Sequence, residues 1–536
     1  MKNESPVKIK TCLISVSDKR NLLKLAQELE SNNIEIISTG GTANFLQQNG
    51  IDVISVEDLT GFPEILDGRV KTLHPNIHGG LLARRSNKKH MQKLESLKIT
   101  PVDMVVINLY PFKDKTRVCF QHEEIIEAID IGGSTLMRAA AKNYQDITIV
   151  SNPDDYGLVS TAIKNNKVLL SLRFSLALKA FDCSARYENE ISNYFHRLDT
   201  SNSQNMTTKK KFSDSINLEM PIFSINLKKY SDLRYGENPH QKAAIYCDPA
   251  EDETTLVCAQ QIQGKRLSYN NLIDADSAFQ CAEMLSKPAC VIVKHANPCG
   301  VAEADSCLEA FKRAKQTDTI SSFGSVVAFN EAVDEALANF ISRDFIELII
   351  APDFTKSAKK IFSQKPNIRV IKNPKKASTE SSSLEIRSLI GGYLIQNRDT
   401  HQRKDIKFTT VTKIKPSEKE LADLKFAWIV ACWVKSNAIV FCRDSRTLGI
   451  GAGQMSRFDS VKIAKMKALQ AGQSLENSVV ASDAFFPFRD GIDVLSEAGA
   501  KSVIQPGGSI KDSEVIAAAD EHKIAMLFTG IRHFRH

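Results

Sequence analysis

The chain has 536 residues, which is too long for one hydrophobic core, so two or more domains are expected. A content of 42% hydrophobic and 25% charged residues is typical of globular proteins and excludes the intrinsically disordered class. The net charge of +7 suits the binding of anionic small molecules. The sequence contains no basic tract interleaved with aromatic residues, so binding to nucleic acid is not predicted.

The cysteines and the N-terminal segment bear on the cellular location. The 11 cysteines form no CxxC pair and no regular spacing, which predicts reduced thiols rather than a disulfide framework or a structural zinc site. The N-terminal segment has only a short apolar run and no small-residue cleavage site, so no signal peptide is predicted. No run approaches the ~20 apolar residues of a membrane span. We therefore expect a cytoplasmic protein with no membrane association.

The N-terminal region alternates predicted strands with helical patterns. Strands are predicted at 8–17, 34–38, 102–110 and 146–151, and helices at 19–32 and along a long stretch, 155–198. Alternation of this kind predicts an α/β domain with a parallel sheet. The polar segment 198–221 is rich in Ser, Thr and Asn, which predicts a linker between a domain at 1–197 and a second at 222–536.

The C-terminal region also has an α/β pattern. Its strands are predicted at 289–295, 325–330, 347–352, 437–442 and 501–506. A polar segment around 370–385 is predicted to be a surface loop. No short-period repeat is found.

Five polar motifs of the N-terminal region fall where predicted strands end. They are SVSDK (15–19), STGGT (38–42), GRVKTLHP (68–75), NLYPF (108–112) and IDIGG (129–133). Each alone has a structural interpretation, such as a helix cap, a tight turn or a solvated basic edge. Ligands of open α/β sheets gather at the carboxyl ends of the strands, and backbone N–H groups at a Gly-Gly helix start bind phosphate. Together the motifs therefore predict a site for a phosphorylated molecule.

Two motifs of the second region predict chemistry. LRYGENPHQ (233–241) is too polar for a core segment and indicates an ordered functional loop. Lys294 and His295 end an apolar strand in VKHANPCG, where the imidazole can take a proton and the lysine can polarise a carbonyl. The lysine also lowers the imidazole pKa by like-charge repulsion. A buried structural histidine is the alternative.

A zinc nucleobase deaminase has H-x-E followed by P-C-x-x-C. Here Asn297 stands two residues after His295, and Ala302 stands three residues after Cys299. The general acid and one metal ligand are both missing, so no catalytic metal is predicted. GIGAG (449–453) lacks the glycine spacing of a dinucleotide fingerprint and is interpreted instead as a close backbone approach to a ligand.

The motifs, taken in order, resemble one known family. The resemblance is carried by SVSDK, STGGT, DLTGFPEILDGRVKTLHP, NLYPF, IDIGG…RAAAKN, LRYGENPHQ, KHANPCG, SSFG, KSNA, GIGAGQMSR and SDAFFPFRD. It is the family of bifunctional purine-biosynthesis enzymes with phosphoribosylaminoimidazolecarboxamide (AICAR) formyltransferase and IMP cyclohydrolase activities. The resemblance extends from about residue 10 to the C-terminal IRHFRH.

The resemblance implies a fold and a set of site residues. The N-terminal domain would be a methylglyoxal-synthase-like cyclohydrolase, and the transformylase would consist of two cytidine-deaminase-like subdomains without zinc. In the first domain the implied catalytic residues are Lys71, Tyr110, Asp130 and Lys142, with Ser15, Ser17, Lys19, Thr39, Gly40, Gly41, Thr42 and Arg69 around the nucleotide. In the second they are Lys294, His295 and Asn437, with Arg234, Tyr235, His240, Phe323, Gly324, Glu347, Arg457, Arg532 and Phe534 contacting nucleotide or folate. Some members of the family carry Asp at the position of Glu347, and the glutamate keeps the carboxylate group.

The resemblance also implies ligands and partners. AICAR, formyl-AICAR, IMP and the co-substrate 10-formyltetrahydrofolate would bind, and the chain would form a homodimer. The resemblance leaves open whether a structural potassium ion is bound. The main alternative is a zinc-independent deaminase-fold nucleotide enzyme whose N-terminal domain binds a regulatory nucleotide. A nucleotide sensor without catalysis is a further alternative, which the presence of Lys71, Lys294 and His295 disfavours.

Overall fold

The computed structural model of the chain divides into two compact units. The first comprises Met1–Ser213 and Asn217–Ser224, and the second comprises Asp214–Ile216 and Ile225–His536. The structure describes residues 6–118, 121–196, 198–199, 207–208, 222–247, 255–373, 384–399 and 406–536. Most of the predicted linker, 198–221, and much of the predicted surface loop, 370–385, lie outside the described residues.

The first unit contains a five-stranded sheet whose neighbouring strands are all parallel, as predicted. Its strands, in spatial order, are Ile54–Ser55, Glu35–Ser38, Thr11–Val16, Met104–Asn108 and Thr148–Val150. The first strand of the chain lies at the centre, so the strand order reverses there and the carboxyl ends meet at one edge. SVSDK, STGGT and NLYPF fall at strand ends on that edge, as predicted. The prediction is wrong for GRVKTLHP and IDIGG, because each of these motifs lies between two helices.

Helices cover this sheet because its strands are apolar on both faces. The helices are Leu22–Ser31, Gly40–Gln48, Val56–Thr60, Pro75–Leu82, Lys88–Ser96, Phe112–Val118, His122–Glu127, Ile131–Lys142, Tyr156–Lys164 and Leu170–His196. A short 3₁₀ helix, Leu66–Gly68, precedes Lys71. The described residues of this unit also include a two-residue pairing of Leu198–Asp199 with Thr207–Thr208.

The predicted helical stretch 155–198 is wrong in one respect, because it is two helices. The first ends at Lys164, and Asn166 follows with a φ of +50°. Asparagine tolerates this left-handed conformation better than most residues, so the Asn-Asn pair ends the helix. The buried Arg173 then ties the second helix to the loop, since its guanidinium donates to the carbonyls of Val168 and Gln145.

The second unit is built on a twelve-stranded mixed sheet. Its strands, in spatial order, are Gln260–Gln263, Arg369–Lys372, Ile346–Ala351, Ser325–Phe329, Ala289–Lys294, Asn297–Glu303, Arg446–Gly451, Ile439–Arg443, Ser478–Ser482, Ala500–Gln505, Ala525–Phe528 and Thr409–Thr410. Its helices are Tyr269–Glu283, Cys307–Lys315, Glu335–Ile341, Lys356–Ser363, Glu418–Ala431, Arg457–Gln470, Asp490–Glu497 and Asp512–Glu521. Two hairpins, Lys228–Asp232 with Ala244–Cys247 and Leu384–Leu389 with Gly392–Asn397, stand apart from the sheet, as does the 3₁₀ helix Leu256–Cys258.

The twelve-stranded sheet consists of two halves with the same topology. Each half has an antiparallel hairpin whose first strand also pairs with a third strand, and parallel strands follow. The halves meet at the pairing of Ala302 with Arg446. Corresponding positions around the two hairpins lie 149 residues apart, as Asp274 and Asp423 do (423 − 274). The repeat is therefore long, which is why no short-period repeat is visible.

Two glycines of GIGAG, Gly449 and Gly451, pack against a helix, so the expected backbone approach to a ligand is wrong for these two, whereas a Cβ at Gly453 would meet nothing within 4 Å. A Cβ at Gly449 would lie 2.4 Å from the carbonyl oxygen of Ala464, and one at Gly451 would lie 1.9 Å from that of Ser460. Both carbonyls belong to the helix Arg457–Gln470. These two glycines let that helix lie directly on the strand.

Candidate active sites

The carboxyl edge of the first sheet brings several predicted residues together. The Ser15 and Thr39 hydroxyl oxygens lie 3.2 Å apart, across two neighbouring strand ends. Ser17 donates to the Asn108 side-chain oxygen from its backbone N–H at 2.8 Å and from its hydroxyl at 3.0 Å. Hydroxyl groups from two strand ends and an amide from a third therefore line one edge. Lys19 follows, with its ammonium 5.8 Å from the Phe45 ring centroid.

Asn108 holds this edge in place, and sequence reasoning did not select it. Its side-chain oxygen also accepts the N–H of Asp18 at 2.8 Å, and its amide nitrogen donates to the Asp18 carbonyl at 3.0 Å. One side chain thus fixes the turn that presents Ser17 and Lys19. The available signal was a polar residue that ends an apolar strand.

The STGGT segment and Lys71 are adjacent. The helix Gly40–Gln48 begins directly after a strand, and the Thr42 hydroxyl is bonded to the N–H of Val16 at 3.2 Å and to its carbonyl at 3.0 Å. A Cβ at Gly40 would lie only 3.2 Å from the Lys71 ammonium. Glycine therefore leaves room for a cation beside the exposed N–H groups of the helix start, where an anion is stabilised.

Two carboxylates hold the cations of this segment. The Lys71 ammonium lies 2.9 Å from a Glu64 oxygen, and the Arg69 guanidinium lies 2.6 Å from a Glu127 oxygen. These pairs are solvent-accessible, and such pairs contribute little stability. A bound phosphate can therefore exchange for either carboxylate at low cost.

Asp130 and Tyr110 meet at the start of a helix. An Asp130 carboxylate oxygen caps the helix Ile131–Lys142 by accepting the N–H of Gly133 at 2.6 Å. Burial raises the pKa of Asp130, and the N–H groups of Gly133 and Tyr110 oppose that rise. The Tyr110 side chain is 58% exposed, which leaves it accessible beside this carboxyl.

The Asp130 helix also lies against the Lys71 segment. A Cβ at Gly132 would come within 3.0 Å of the Thr72 hydroxyl oxygen, and Thr72 follows Lys71 directly. The catalytic residues that the resemblance implied at Lys71, Tyr110 and Asp130 therefore lie in one neighbourhood.

The structure does not bring Lys142 to this edge. Lys142 is the exposed last residue of the helix that Asp130 caps. A helix of 12 residues rises about 18 Å, so Lys142 lies at the opposite end from Asp130.

In the second unit, Lys294 and His295 lie at the tip of a hairpin. The strands Ala289–Lys294 and Asn297–Glu303 are joined by a turn in which His295 has a φ of +54° and Ala296 a φ of +59°. Two successive left-handed residues are typical of a type I′ turn, which Asn and Gly favour. His295 is exposed at this tip.

Asp274 secures the turn, and sequence reasoning missed it. Its carboxylate accepts the N–H of Ala296 at 2.6 Å. Burial raises the pKa of Asp274, while the Ala296 hydrogen bond and the charge of His295 oppose that rise. The carboxylate therefore lies close to both turn residues.

Phe323, Gly324 and Glu347 lie beside Lys294. The Lys294 ammonium donates to the Phe323 carbonyl at 2.8 Å, and the Phe323 ring, 64% exposed, lies 4.9 Å from that of Phe345. Gly324 donates its N–H to the Phe345 carbonyl at 2.8 Å. Glu347 follows two residues later and pairs with Arg369 at 2.6 Å.

Asn437 is linked to the same hairpin. The Asn297 side-chain oxygen accepts the N–H of Lys435 at 2.9 Å, and Asn437 follows across a cis peptide bond to Ser436. The Asn437 amide donates to the Gln454 carbonyl at 2.8 Å. The two segments, which come from different halves of the sheet, are therefore adjacent.

The C-terminal residues lie beside Asn437. Ser436 donates its N–H to the Arg535 carbonyl at 2.9 Å, and His533 donates its N–H to the Asp483 carbonyl at 3.2 Å. Arg532 and Phe534 lie on this tail, with the guanidinium 4.2 Å from the ring centroid. The tail thus brings two residues that the resemblance implied to the neighbourhood of Asn437.

Arg457 occupies a structural position. Its guanidinium is only 9% exposed and lies 2.8 Å from an Asp483 oxygen and 2.8 Å from the Phe485 carbonyl. The guanidinium is therefore held by Asp483 and Phe485.

The loop LRYGENPHQ lies at the N-terminal end of the helix Tyr269–Glu283. The Tyr235 carbonyl accepts the N–H of Tyr269 at 3.2 Å, and the Glu237 carbonyl accepts from the Asn270 amide at 3.1 Å. Asp274, near the start of the same helix, holds the His295 turn. Arg234, which stacks 5.4 Å from the Tyr235 ring, and the exposed His240 therefore belong to the same end of this unit.

The residues of the deaminase-like motif have other partners. The Asn297 amide bridges to His295 and Lys435, and burial raises the pKa of the Cys299 thiol to about 12. Among the residues that the structure describes, no group of three His, Cys, Asp or Glu side chains is arranged to bind a metal ion. No helix in the same part of the chain is both long and apolar enough to cross a membrane.

Comparisons with known proteins identify the family of the chain. The family model described as the MGS-like domain matches residues 21–135, and the model described as the AICARFT/IMPCHase bienzyme matches residues 140–467. Among solved structures, the crystal structure of ForH is 32% identical over 35% of this chain and 97% of its own, with a TM-score of 0.31, a likeness that supports no conclusion about fold. Because the bienzyme model matches more than half of the chain, the protein belongs to the AICARFT/IMPCHase bienzyme family, whose two activities are formyl transfer to AICAR and closure of formyl-AICAR to IMP.

Proposed function

We propose that the two activities of this bienzyme are carried by separate sites, formyl transfer by the second unit and ring closure by the first. The observation that carries the proposal is the hairpin tip at Lys294 and His295. An exposed imidazole projects there beside an ammonium, and a segment from the other half of the sheet brings Asn437 to it.

In formyl transfer, the 5-amino group of AICAR attacks the formyl carbon of 10-formyltetrahydrofolate. His295 takes the proton that the amino nitrogen loses. The Lys294 ammonium donates one hydrogen bond to Phe323 and keeps two further N–H groups for the oxyanion of the tetrahedral intermediate. Asn437 supplies its second amide N–H. The carbon–nitrogen bond to the folate then breaks, and the folate nitrogen is protonated.

In ring closure, the carboxamide nitrogen of formyl-AICAR attacks the formyl carbon of the same molecule, and water is lost. Positioning supplies much of the rate because the reaction is intramolecular. Asp130, with its raised pKa and exposed neighbour Tyr110, moves protons, and Lys71 stabilises the developing negative charge. Lys142 has no role in this scheme because of its place at the other end of the helix.

The remaining residues bind the substrates. In the first unit Ser15, Ser17, Lys19, Thr39, Gly40, Gly41, Thr42 and Arg69 surround the phosphate of the nucleotide. In the second unit Arg234, Tyr235, His240, Phe323, Gly324, Glu347, Arg532 and Phe534 contact AICAR and the folate. Arg457 supports this site through Asp483 rather than by direct contact.

A potassium ion, which the family resemblance left open, has a fitting donor. One carboxylate oxygen of Asp483 is fully buried and has no hydrogen-bond partner among the described residues. Asp483 would hold the ion next to the C-terminal tail, where a cation would neutralise this oxygen and support the segment that carries Asn437.

The location and assembly complete the proposal. The described cysteines are free thiols, which supports a cytoplasmic location. We propose a homodimer, on the family resemblance alone. A sedimentation measurement that gives one chain at assay concentration contradicts this part.

His295→Ala tests the division of labour. The variant should lose formyl transfer by a factor of about 10²–10⁴, because the base is removed. It should still convert supplied formyl-AICAR to IMP at the wild-type rate. Tetrahydrofolate release and IMP formation are measured separately on the same preparation. Loss of both activities in a folded variant contradicts the two-site proposal.

A further inference from the structure

A cavity of about 420 Å³ in the second unit contains none of the candidate active-site residues. Its size falls in the range of small-molecule sites, about 300–1,000 Å³. Apolar side chains dominate its lining, among them Met284, Phe408, Phe426, Trp428 and Ile429. Such a lining suits the apolar part of a ligand. The charged side chains of the cavity determine which polar group the ligand would carry.

Two lysines and one carboxylate carry those charges. The Glu303 carboxylate already accepts the N–H groups of Ser286 at 2.6 Å and of Lys287 at 3.2 Å. The Lys425 ammonium lies 5.6 Å from the Phe408 ring centroid. Lys287 and Lys425 form no ion pair with any described residue, so the cavity presents positive charge.

The other half of the duplicated sheet contains a region equivalent to the cavity, and we call this region the copy. Equivalent residues of the two halves lie 149 positions apart in the sequence. Lys425 is therefore equivalent to Asp276, Lys287 to Ser436 and Met284 to Trp433. In the copy, the C-terminal residue Arg535 packs its guanidinium 4.3 Å from the Trp433 ring centroid. Its carbonyl accepts the Ser436 N–H at 2.9 Å.

The copy is occupied by the Arg535 guanidinium, a cation that interacts with the carboxylate of Asp276. Burial lowers the pKa of Arg535, and the carboxylate of Asp276 opposes that change. In the open cavity the residue at the place of Asp276 is Lys425, and the residue at the place of Ser436 is Lys287. The charge of the cavity is thus reversed relative to the copy that the chain fills with its own tail.

We propose that the cavity binds a small organic anion, an acid group on an aromatic or aliphatic body. The acid group lies between Lys287 and Lys425, and the body lies against Phe426 and Trp428. The proposal does not depend on which residues carry out formyl transfer.

Occupation of the cavity is coupled to the C-terminal tail. The Trp428 ring lines the cavity and meets the His533 ring edge-on, with centroids 5.3 Å apart. His533 is the tail residue whose N–H binds Asp483. The chain has two tryptophans, and the other, Trp433, donates to Met284 of the cavity lining at 3.0 Å. Tryptophan fluorescence therefore reports on this cavity.

The test titrates the full-length protein with 3-phenylpropionate and with the uncharged 3-phenylpropionamide, followed by tryptophan fluorescence and calorimetry. The acid should bind saturably and about tenfold more tightly than the amide, because a charge-assisted contact is lost. Lys425→Met and Lys287→Met should each weaken the acid about tenfold. Lys425→Asp should turn the preference towards 3-phenylpropylamine.

Lys462→Met is the matched control. Lys462 also stacks on a phenylalanine, with its ammonium 4.0 Å from the Phe458 ring centroid, and it does not line the cavity. This variant should bind 3-phenylpropionate as the wild type does. Absence of saturable binding, equal affinity for acid and amide, or equal loss in Lys462→Met each overturns the proposal.

Discussion

At the residue scale, His295 shows how a common side chain is given an uncommon setting. A left-handed backbone at a residue other than glycine costs of the order of 1 kcal/mol or more. The chain accepts this at two successive residues, His295 and Ala296, and offsets it with the charged hydrogen bond from Ala296 to Asp274. The result is an imidazole fixed beyond the end of the sheet.

Asp130→Asn separates the chemistry of Asp130 from its role as a helix cap. Asparagine caps a helix as well as aspartate does, so the free energy of unfolding should change by less than about 1 kcal/mol. IMP formation from supplied formyl-AICAR should fall by a factor of about 10²–10⁴, because the proton acceptor is lost. Both are measured on the same preparation, by chemical denaturation and by absorbance of IMP.

The pH dependence gives a second measure of Asp130. Burial raises its pKa, so the carboxylate is protonated at a higher pH than an exposed aspartate. Ring closure should therefore decline on acidification at a pH above about 3.9, the ordinary value. Asp130→Asn should remove this acidic decline from the residual activity. If the acidic decline persists unchanged in the variant, it arises from the titration of another group.

Residue types at strand ends predicted SVSDK, STGGT and NLYPF as site motifs, whereas the roles of Lys71, Tyr110 and Asp130 were implied by the family resemblance. Asn108 and Asp274 were not predicted, because their importance lies in partners 90 and 22 residues away along the chain. Lys142 was implied by the resemblance, and only the helix that separates it from Asp130 shows the distance.

At the element scale, the two hairpins of the large sheet are held in the same way. Asp274 accepts the N–H of Ala296 at 2.6 Å, while Asp423 accepts those of Asp444 at 2.9 Å and Ser445 at 2.7 Å. Only the first hairpin carries the Lys-His pair. The second is therefore a natural control for the first.

Asp274→Ala should lower the kcat of formyl transfer about tenfold or more and leave the KM for AICAR nearly unchanged, because His295 is no longer held. Steady-state kinetics from pH 5 to 9 provide both values.

Asp423→Ala is the control for this prediction. It removes the same kind of hydrogen bond from the hairpin without the Lys-His pair, and should destabilise the unit to a similar extent. Its formyl-transfer kcat should match that of the wild type. Equal kinetic losses in the two variants would mean that Asp274 acts through stability alone.

Gly300→Ala tests the contact between strand and helix. A Cβ at Gly300 would lie 2.1 Å from the Ala314 carbonyl oxygen in the helix Cys307–Lys315, so the helix must move. We expect a loss of about 1–3 kcal/mol in the free energy of unfolding. Gly392→Ala, where nothing lies within 4 Å of the added atom, should change it by less than about 0.5 kcal/mol. Denaturation midpoints compare the two.

Apolar runs predicted nine of the 17 strands in the two large sheets, with ends that agree to within three residues. The strand Asn297–Glu303 was not predicted, because its sequence, NPCGVAE, has proline and glycine where turn rules expect a loop. It becomes a strand only because Ala289–Lys294 pairs with it, with an irregularity at the proline.

At the scale of the whole molecule, separate sites predict that two inactive variants can cooperate. His295→Ala should lack formyl transfer and Lys71→Ala should lack ring closure. A mixture of the two, supplied with AICAR and 10-formyltetrahydrofolate, should form IMP after a lag while formyl-AICAR accumulates in solution. Neither variant alone should form IMP at the enzymatic rate. A mixture that stays inactive contradicts free passage of the intermediate.

The duplicated sheet also has a consequence for synthesis. The strand Asn297–Glu303 meets the second half of the sheet at Arg446, which is 144 residues further along than Ala302 (446 − 302). At about 5–20 residues per second, a ribosome needs roughly 7–30 s to deliver that partner. During this interval the first half presents an unpaired strand edge, and neighbouring nascent chains on one messenger carry the same edge. Slow translation of the segment between the halves should therefore lower the yield of correctly assembled protein.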